Sequence, residues 1–234
     1  MRVLLIRRPG RAAALTEHHV FAVHARPADP WMEATTVADV AEVLDLDLTA
    51  LRDSRSLGLE RREHPLFAVC AHGRHDACCA ERGRPVAAAL AATFPEETWE
   101  VSHVGGDRFA ANLLLAPDGL YYGRLDPESA VAVARARMRG ELELDHLRGR
   151  TGFPMPVQAA EIALRRHLGL TTPQPPRLVE RMAEGDVTTA TLELGGGRYA
   201  VRVRTTKSDA VHLTCRAARE QHALQHEVLE LRRV

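Results

Sequence analysis

Apolar positions along this chain fall into short bursts, and their spacing sorts them into strands and helices. Val3-Leu4-Leu5-Ile6 is stopped by Arg7-Arg8-Pro9-Gly10, which predicts a short buried strand ending at a Pro-Gly turn. His19 to His24 (HVFAVH) has strand composition. From Thr36 to Leu51 apolar residues recur at Val37, Val40, Ala41, Val43 and Leu44, a helical spacing with Thr35 or Thr36 as N-cap. Asp53 to Glu63 is charged and irregular and reads as a surface connection.

The middle of the chain is more sharply punctuated. Pro65–Val69 (PLFAV) predicts a buried strand, and Pro85–Thr93 an alanine-rich helix with Pro85 near its first turn. Trp99–His103 alternates as a strand does. Phe109–Leu115 and Leu120–Leu125 form a hairpin across Ala116-Pro117-Asp118-Gly119. Asp126-Pro127-Glu128 is a helix start, with Asp126 as N-cap, and the helix runs to about Arg139. A helix over Val157–Leu168 precedes the proline-rich Thr171–Pro176. Thr188–Leu194 and Tyr199–Arg204 then flank a Gly195-Gly196-Gly197 turn, and Val211–Cys215 and Glu227–Leu231 add two strands.

This order, strand–loop–helix–strand–loop–hairpin–helix, predicts an α/β (α+β) fold: a thioredoxin-like mixed sheet flanked by helices, with a small β-rich C-terminal segment. The expected divisions are 1–64, an N-terminal strand and helix portion; 65–170, the thioredoxin-like unit; and 171–234, the β-rich segment.

Composition narrows the function classes. Hydrophobic residues at 45% and charged residues at 26% describe an ordinary soluble globular chain. The formal net charge is +0 and aromatic content is 4%, which argues against nucleic acid or an anionic membrane as partner. Lys207 is the only lysine, so arginine carries nearly all the positive charge. The first apolar run is too short for an export signal or a membrane span. Four cysteines make no secreted disulfide framework, and the expected location is a reducing cytoplasm, where clustered thiols bind metal or do redox work.

Three of those cysteines lie in Cys70-Ala-His-Gly-Arg-His-Asp-Ala-Cys-Cys79, with His72 and His75 between them. A second loop, His103-Val-Gly-Gly-Asp-Arg-Phe-Ala-Ala-Asn112, follows another predicted strand. Its two glycines allow a tight turn and close approach to a bound group. Loops after strands of one sheet emerge at the same end, where ligand sites form. Thiols, imidazoles and a carboxylate are thereby offered together as a metal environment.

The two loops resemble those of the sucrase/ferredoxin-like family. Its pattern is Cys-x-His/Asn-Gly-x-Arg-Asp-x-x-Cys, then His-x-Gly-Gly-His-Arg/Lys-Phe/Tyr-Ala, then Tyr-Gly-Arg. The matching residues are Cys70, His72, Gly73, Asp76 and Cys79; His103, Gly105, Gly106, Arg108, Phe109 and Ala110; and Tyr122-Gly123-Arg124. The resemblance implies a thioredoxin-like scaffold holding a [2Fe–2S] cluster and transferring electrons to or from a redox partner protein. It makes the chain a carrier or sensor rather than an enzyme, and leaves a homodimer open. Carried over by position, Cys70, Cys79 and His103 are ligands and Asp107 stands at the fourth place. Two departures are Asp107 where the family has histidine and His75 where it has arginine. The chain also starts late against the pattern, which implies a first sheet short of an edge strand.

Several side chains keep alternative readings. Cys78 and His75 compete with Asp107 for the fourth position, although Cys78 reads more simply as a small buried residue. His72 fits a hydrogen-bonding role, and Asp76 and Arg108 orient ligands or pair with each other. Cys215, in a predicted strand far from the motif, reads as a buried apolar residue. His18-His19 and His222/His226 read as solvated. Cys₂His with Asp also suits tetrahedral zinc, the alternative cofactor. A thiol-redox role ranks below both, because the chain has no Cys-x-x-Cys.

Overall fold

The computed structural model describes residues 2–10, 17–74, 76–215 and 217–234. The chain opens with β1 (Ile6–Arg7), then β2 (His18–His24) and β3 (Trp31–Val37), an antiparallel pair in register from His18↔Val37 to His24↔Trp31. The expected buried first strand is shorter and more exposed than its apolar run suggests. Val3 and Leu5 are 76% and 77% exposed, because β1 lies at a sheet edge and only Leu4 and Ile6 pack inward.

The helix expected over Thr36–Leu51 is not one element. Val37 ends β3, Val40–Asp45 is a 3₁₀ turn, and α1 (Leu48–Arg52) follows. Two aspartates break the pattern. Asp39 caps the first turn, with Glu42 returning a bond to the Asp39 N–H; Asp47 accepts from the N–H groups of Thr49 and Ala50. The apparent stripe has no core to face: Val40 and Leu44 are 59% and 80% exposed. β4 (Glu60–Arg61) then pairs with β3.

β5 (Leu66–Cys70) is buried at every position, as a continuous apolar strand in mid-sheet must be. α2 (Ala77–Thr93) connects it to β6 (Thr98–Val101), which lies parallel to it. β7 (Leu113–Ala116), β8 (Leu120–Tyr122) and, after α3 (Pro127–Met138), β9 (Leu147–Arg150) complete the sheet antiparallel, in the order β1-β6-β5-β7-β8-β9. One face packs Phe67, Val69, Leu113 and Leu115 against Val86 and Leu90 of α2 and Ala130 and Val133 of α3. On the other, Ala68, Trp99 and Val101 meet Met32 and Phe21 of the β2–β3 hairpin.

α2 begins eight residues before the expected Pro85 start, because Asp76 caps it inside the cysteine motif. Pro85 sits within the helix at the cost of one backbone bond. α3 starts as expected: Asp126 accepts from the Ser129 N–H and Pro127 takes the first turn.

α4 (Met155–Leu168) carries the fold into a second, wholly antiparallel sheet. That sheet comprises β10 (Arg177–Glu184), β11 (Val187–Leu194), β12 (Gly197–Val211) and β13 (Gln221–Arg233) in sequence order. Val157, Ala160 and Leu164 pack against Ala190, Leu192, Val201 and Val203. Beside them Arg150, Glu161 and Arg165 are fully buried. Arg165 Nε lies 3.0 Å and Arg150 Nε 3.6 Å from Glu161 Oε1. Arg165 donates further to the carbonyls of Thr172 and Gln174, and Arg150 to those of Pro173 and Asp118, so the proline-rich segment is fixed by buried arginines. The strand expected over Val211–Cys215 ends at Val211, and residues 212–215 leave the sheet. The fold is α+β, and no helix among the described residues is long and apolar enough to cross a membrane.

Candidate metal centre

Cys70 is the last residue of β5, and its N–H donates to the Asn112 carbonyl at 3.0 Å. Cys79 lies in the first turn of α2, set there by the Asp76 cap. Gly83, one helical turn further on, is buried against the end of β5. A Cβ at this position would collide with the Cys70 carbonyl oxygen and lie 3.2 Å from its carbon. The missing side chain lets α2 approach the strand closely enough to bring the two thiols together. His103 follows β6, and because β5 and β6 are parallel its loop emerges beside Cys70. The ligand atoms of Cys70, Cys79 and His103 all lie within 4.8 Å of one another.

The second loop turns through Gly105 and Gly106, at φ +91° and +79°, backbone that side chains rarely adopt. It then places the buried Asp107 carboxylate between the two motifs. Asp107 Oδ1 is 3.1 Å from His103 Nδ1 and accepts from the Cys79 thiol at 3.7 Å. Burial is the main cause that pushes the Cys79 thiol pKa up, with Cys70 and Asp107 adding to it. Such a thiol loses its proton only when a cation takes its place.

The loop is braced from outside the motifs. Asn112 Nδ2 donates to the Gly106 carbonyl at 2.9 Å, and Arg148 Nη1 donates to Asn112 Oδ1 at 2.8 Å. The Arg148 guanidinium stacks 4.2 Å from the Phe109 ring centroid and fills the space a Gly106 side chain would need. Burial, then the neighbouring Arg108, lowers the Arg148 pKa to about 10. From the other side Arg2 donates to the carbonyls of His103 and Val104 at 2.6 and 2.9 Å. Neither Arg2 nor Arg148 carries a sequence signal for this role, since each reaches the loop only through the sheet.

Cys78 and Cys215 depart from their expected roles. Cys215 is exposed and stands against Asp76, its thiol on Oδ1 and its N–H donating to Oδ2 at 3.1 Å. The strand that would have buried it stops at Val211. Cys78 is only half-buried, and its thiol donates to Asp76 Oδ1 at 3.3 Å. Burial, followed by Asp76, pushes its pKa up to about 12. Burial works to raise the Asp76 pKa, but the hydrogen bonds from Cys215, Cys78 and Thr214 outweigh it and hold the carboxyl below its ordinary 3.8.

His75 lies outside the described residues. Arg108 donates to the Leu224 carbonyl at 3.4 Å and stacks on Phe109, tying the loop to the C-terminal hairpin. His222 and His226 sit 2.7 Å from the Ser208 carbonyl and 3.1 Å from Thr205 Oγ1 respectively, and His19 packs edge-on to Trp99.

The donors that converge from β5, α2 and the loop after β6 are two buried thiols and an imidazole, a set that fits a soft or borderline metal, while the Asp107 carboxylate lies against His103 and Cys79 and outside that trio. The sequence profile of the sucrase/ferredoxin-like family matches residues 10–149, more than half of the chain and a range within which all four of these residues fall. No curated protein and no solved structure matches the chain.

Proposed function

Because the chain belongs to the sucrase/ferredoxin-like family, we propose that Cys70, Cys79, His103 and Asp107 hold a [2Fe–2S] cluster and that the protein passes single electrons to a partner protein. The observation that carries this reading is the convergence of Cys70, Cys79 and His103 within 4.8 Å, with the Asp107 carboxylate alongside. Bound there, such a cluster supplies a one-electron couple whose potential follows ligand charge and hydrogen bonding. The mixed sheet, with its parallel β5–β6 pair joined through α2, supports a thioredoxin-like reading of the scaffold.

The chain's own residues have definite tasks in this reading. Cys70 and Cys79 give up their protons on binding. Asp107 contributes a negative charge where the family pattern carries a neutral imidazole, which lowers the potential. Arg148 and Asn112 hold the His103–Asp107 loop in place. Raised thiol pKa values weigh against nucleophilic thiol chemistry, which needs lowered ones.

One observation favours a second reading, a single zinc ion. Ligand atoms around tetrahedral zinc stand about 3.8 Å apart, and the 4.8 Å within which this trio lies accommodates that spacing. Iron, zinc and acid-labile sulfide analysis of anaerobically purified protein separates the two. About two irons and two sulfides per chain with visible absorption supports the cluster. One zinc without sulfide replaces it with the second reading, and a metal-free protein whose Cys70→Ser variant is unchanged refutes both.

A further inference from the structure

Beside this centre lies a second set of donors, made by two parts of the chain far apart in sequence. Asp76 and Cys78 stand at the start of α2, and Cys215 comes from the loop between β12 and β13, 137 residues beyond Cys78. The carboxylate oxygen and the two sulfurs all lie within 4.8 Å of one another. We propose that Asp76, Cys78 and Cys215 form a second metal site, which takes one zinc ion and clips the β12–β13 loop onto the start of α2.

The donor chemistry selects the ion. Two thiolates with a carboxylate suit zinc and disfavour magnesium or calcium, which take oxygen ligands. Asp76 is fully buried, and its oxygens accept from the N–H groups of Cys78 at 3.4 Å and Cys215 at 3.1 Å. Backbone donors of this kind orient a ligating carboxylate. The site opens on a cavity of about 590 Å³ lined by Cys78, Arg82, Thr214 and His212. His212 Nδ1 lies 3.1 Å from the Ala217 carbonyl. A carbonyl can only accept, so Nδ1 is the donor, which leaves Nε2 as the ring atom through which a neutral His212 could bind metal.

Helix geometry turns the two adjacent thiols toward different partners, although the two donor sets adjoin at Asp107. Successive positions on an α-helix differ by about 100° in direction, so Cys78 and Cys79 address different groups. The Cys79 thiol meets the Asp107 carboxylate at 3.7 Å, whereas the Cys78 thiol meets the Asp107 backbone carbonyl at 3.8 Å. Zinc binding would release one proton from each of the two thiols and leave all sulfur oxidation states unchanged. The inference does not depend on which metal the first site holds.

The test uses the full chain, reduced, stripped of metal and titrated with Zn²⁺ against a chromophoric chelator. Cys215→Ser is expected to weaken one zinc equivalent by on the order of 100-fold or more, since loss of mere supporting partners already costs 10- to 100-fold. The Cys70→Ser/Cys79→Ser variant retains that equivalent. A readout without substitution is alkylation of the exposed Cys215 thiol in the unaltered protein, suppressed by Zn²⁺ and restored by chelator. Equal zinc affinity in wild type and Cys215→Ser, labelling of Cys215 indifferent to zinc, or a Cys78–Cys215 disulfide in place of bound zinc would each overturn the proposal. Failure of the first-site reading appears separately, as absence of iron and sulfide irrespective of Cys215.

Discussion

Replacing Gly83 with alanine would set a methyl group against the Cys70 backbone, inside contact distance of the carbonyl oxygen and 3.2 Å from its carbon. Carbon atoms pack best at about 3.5–4.0 Å, so α2 must withdraw from β5 by roughly 1 Å. Overpacking in a filled core costs about 1–3 kcal/mol, and a collision with backbone belongs at the upper end. Alanine returns about 1 kcal/mol by favouring the helix, leaving a net loss of about 2 kcal/mol. For a chain of this size that is a fall in Tm of roughly 4–8 °C. The same withdrawal separates Cys79 from Cys70, so metal content per chain should drop with Tm. Thermal unfolding of metal-free protein, with metal analysis of the loaded form, measures both effects. A Gly83→Ala protein as stable as wild type and fully loaded would refute the claim that this glycine sets the thiol spacing.

Other perturbations probe separate parts of the argument. Asp107→His removes a negative charge from the proposed ligand set and should raise the reduction potential by on the order of 100 mV; voltammetry giving an equal or lower value contradicts Asp107 ligation. Glu161→Gln removes the buried carboxylate that Arg150 and Arg165 share and should cost about 3–5 kcal/mol in denaturant unfolding; a loss under about 1 kcal/mol would mean that their carbonyl partners and, for Arg150, the buried Asp118 suffice. The Ser129 N–H, then its hydroxyl, holds the Asp126 carboxyl below its ordinary 3.8. The stability it contributes is therefore complete above 3.8 and lost as pH falls through the lower folded value. Asp126→Asn keeps the cap without the charge, so its deficit in Tm against wild type should shrink on acidification below that range. A deficit that stays constant or widens with acid speaks against the linkage.

The elements legible in the sequence are those with local causes. PLFAV is apolar at every position and becomes a strand buried on both faces; Asp126-Pro127-Glu128 marks the start of α3. What misled was local pattern without tertiary support. The stripe from Val37 to Leu44 faces solvent, and Pro85 concealed a helix already started by Asp76. β9 and β10 escaped notice because LRGR and RLVERMAE are too charged to read as strands; β10 in fact lies at a largely exposed edge. At the site, two spaced motifs point to Cys70, Cys79 and His103, and the fold brings their side chains together. Gly83, Arg148 and Cys215 could not be read, because each acts across the sheet or from a distant hairpin on residues remote in sequence.

The distance between Cys78 and Cys215 also sets an order of events during synthesis. All four residues of the first centre have been added to the chain by Asp107, whereas Cys215 follows 108 positions later. At ribosomal speeds of about 5–20 residues per second, that is a delay on the order of 5–20 s. Throughout that interval Cys78 has no partner thiol from the hairpin, while its neighbour Cys79 already has Cys70. A nascent chain thus carries the full donor set of the proposed N-terminal centre well before that of the proposed second site.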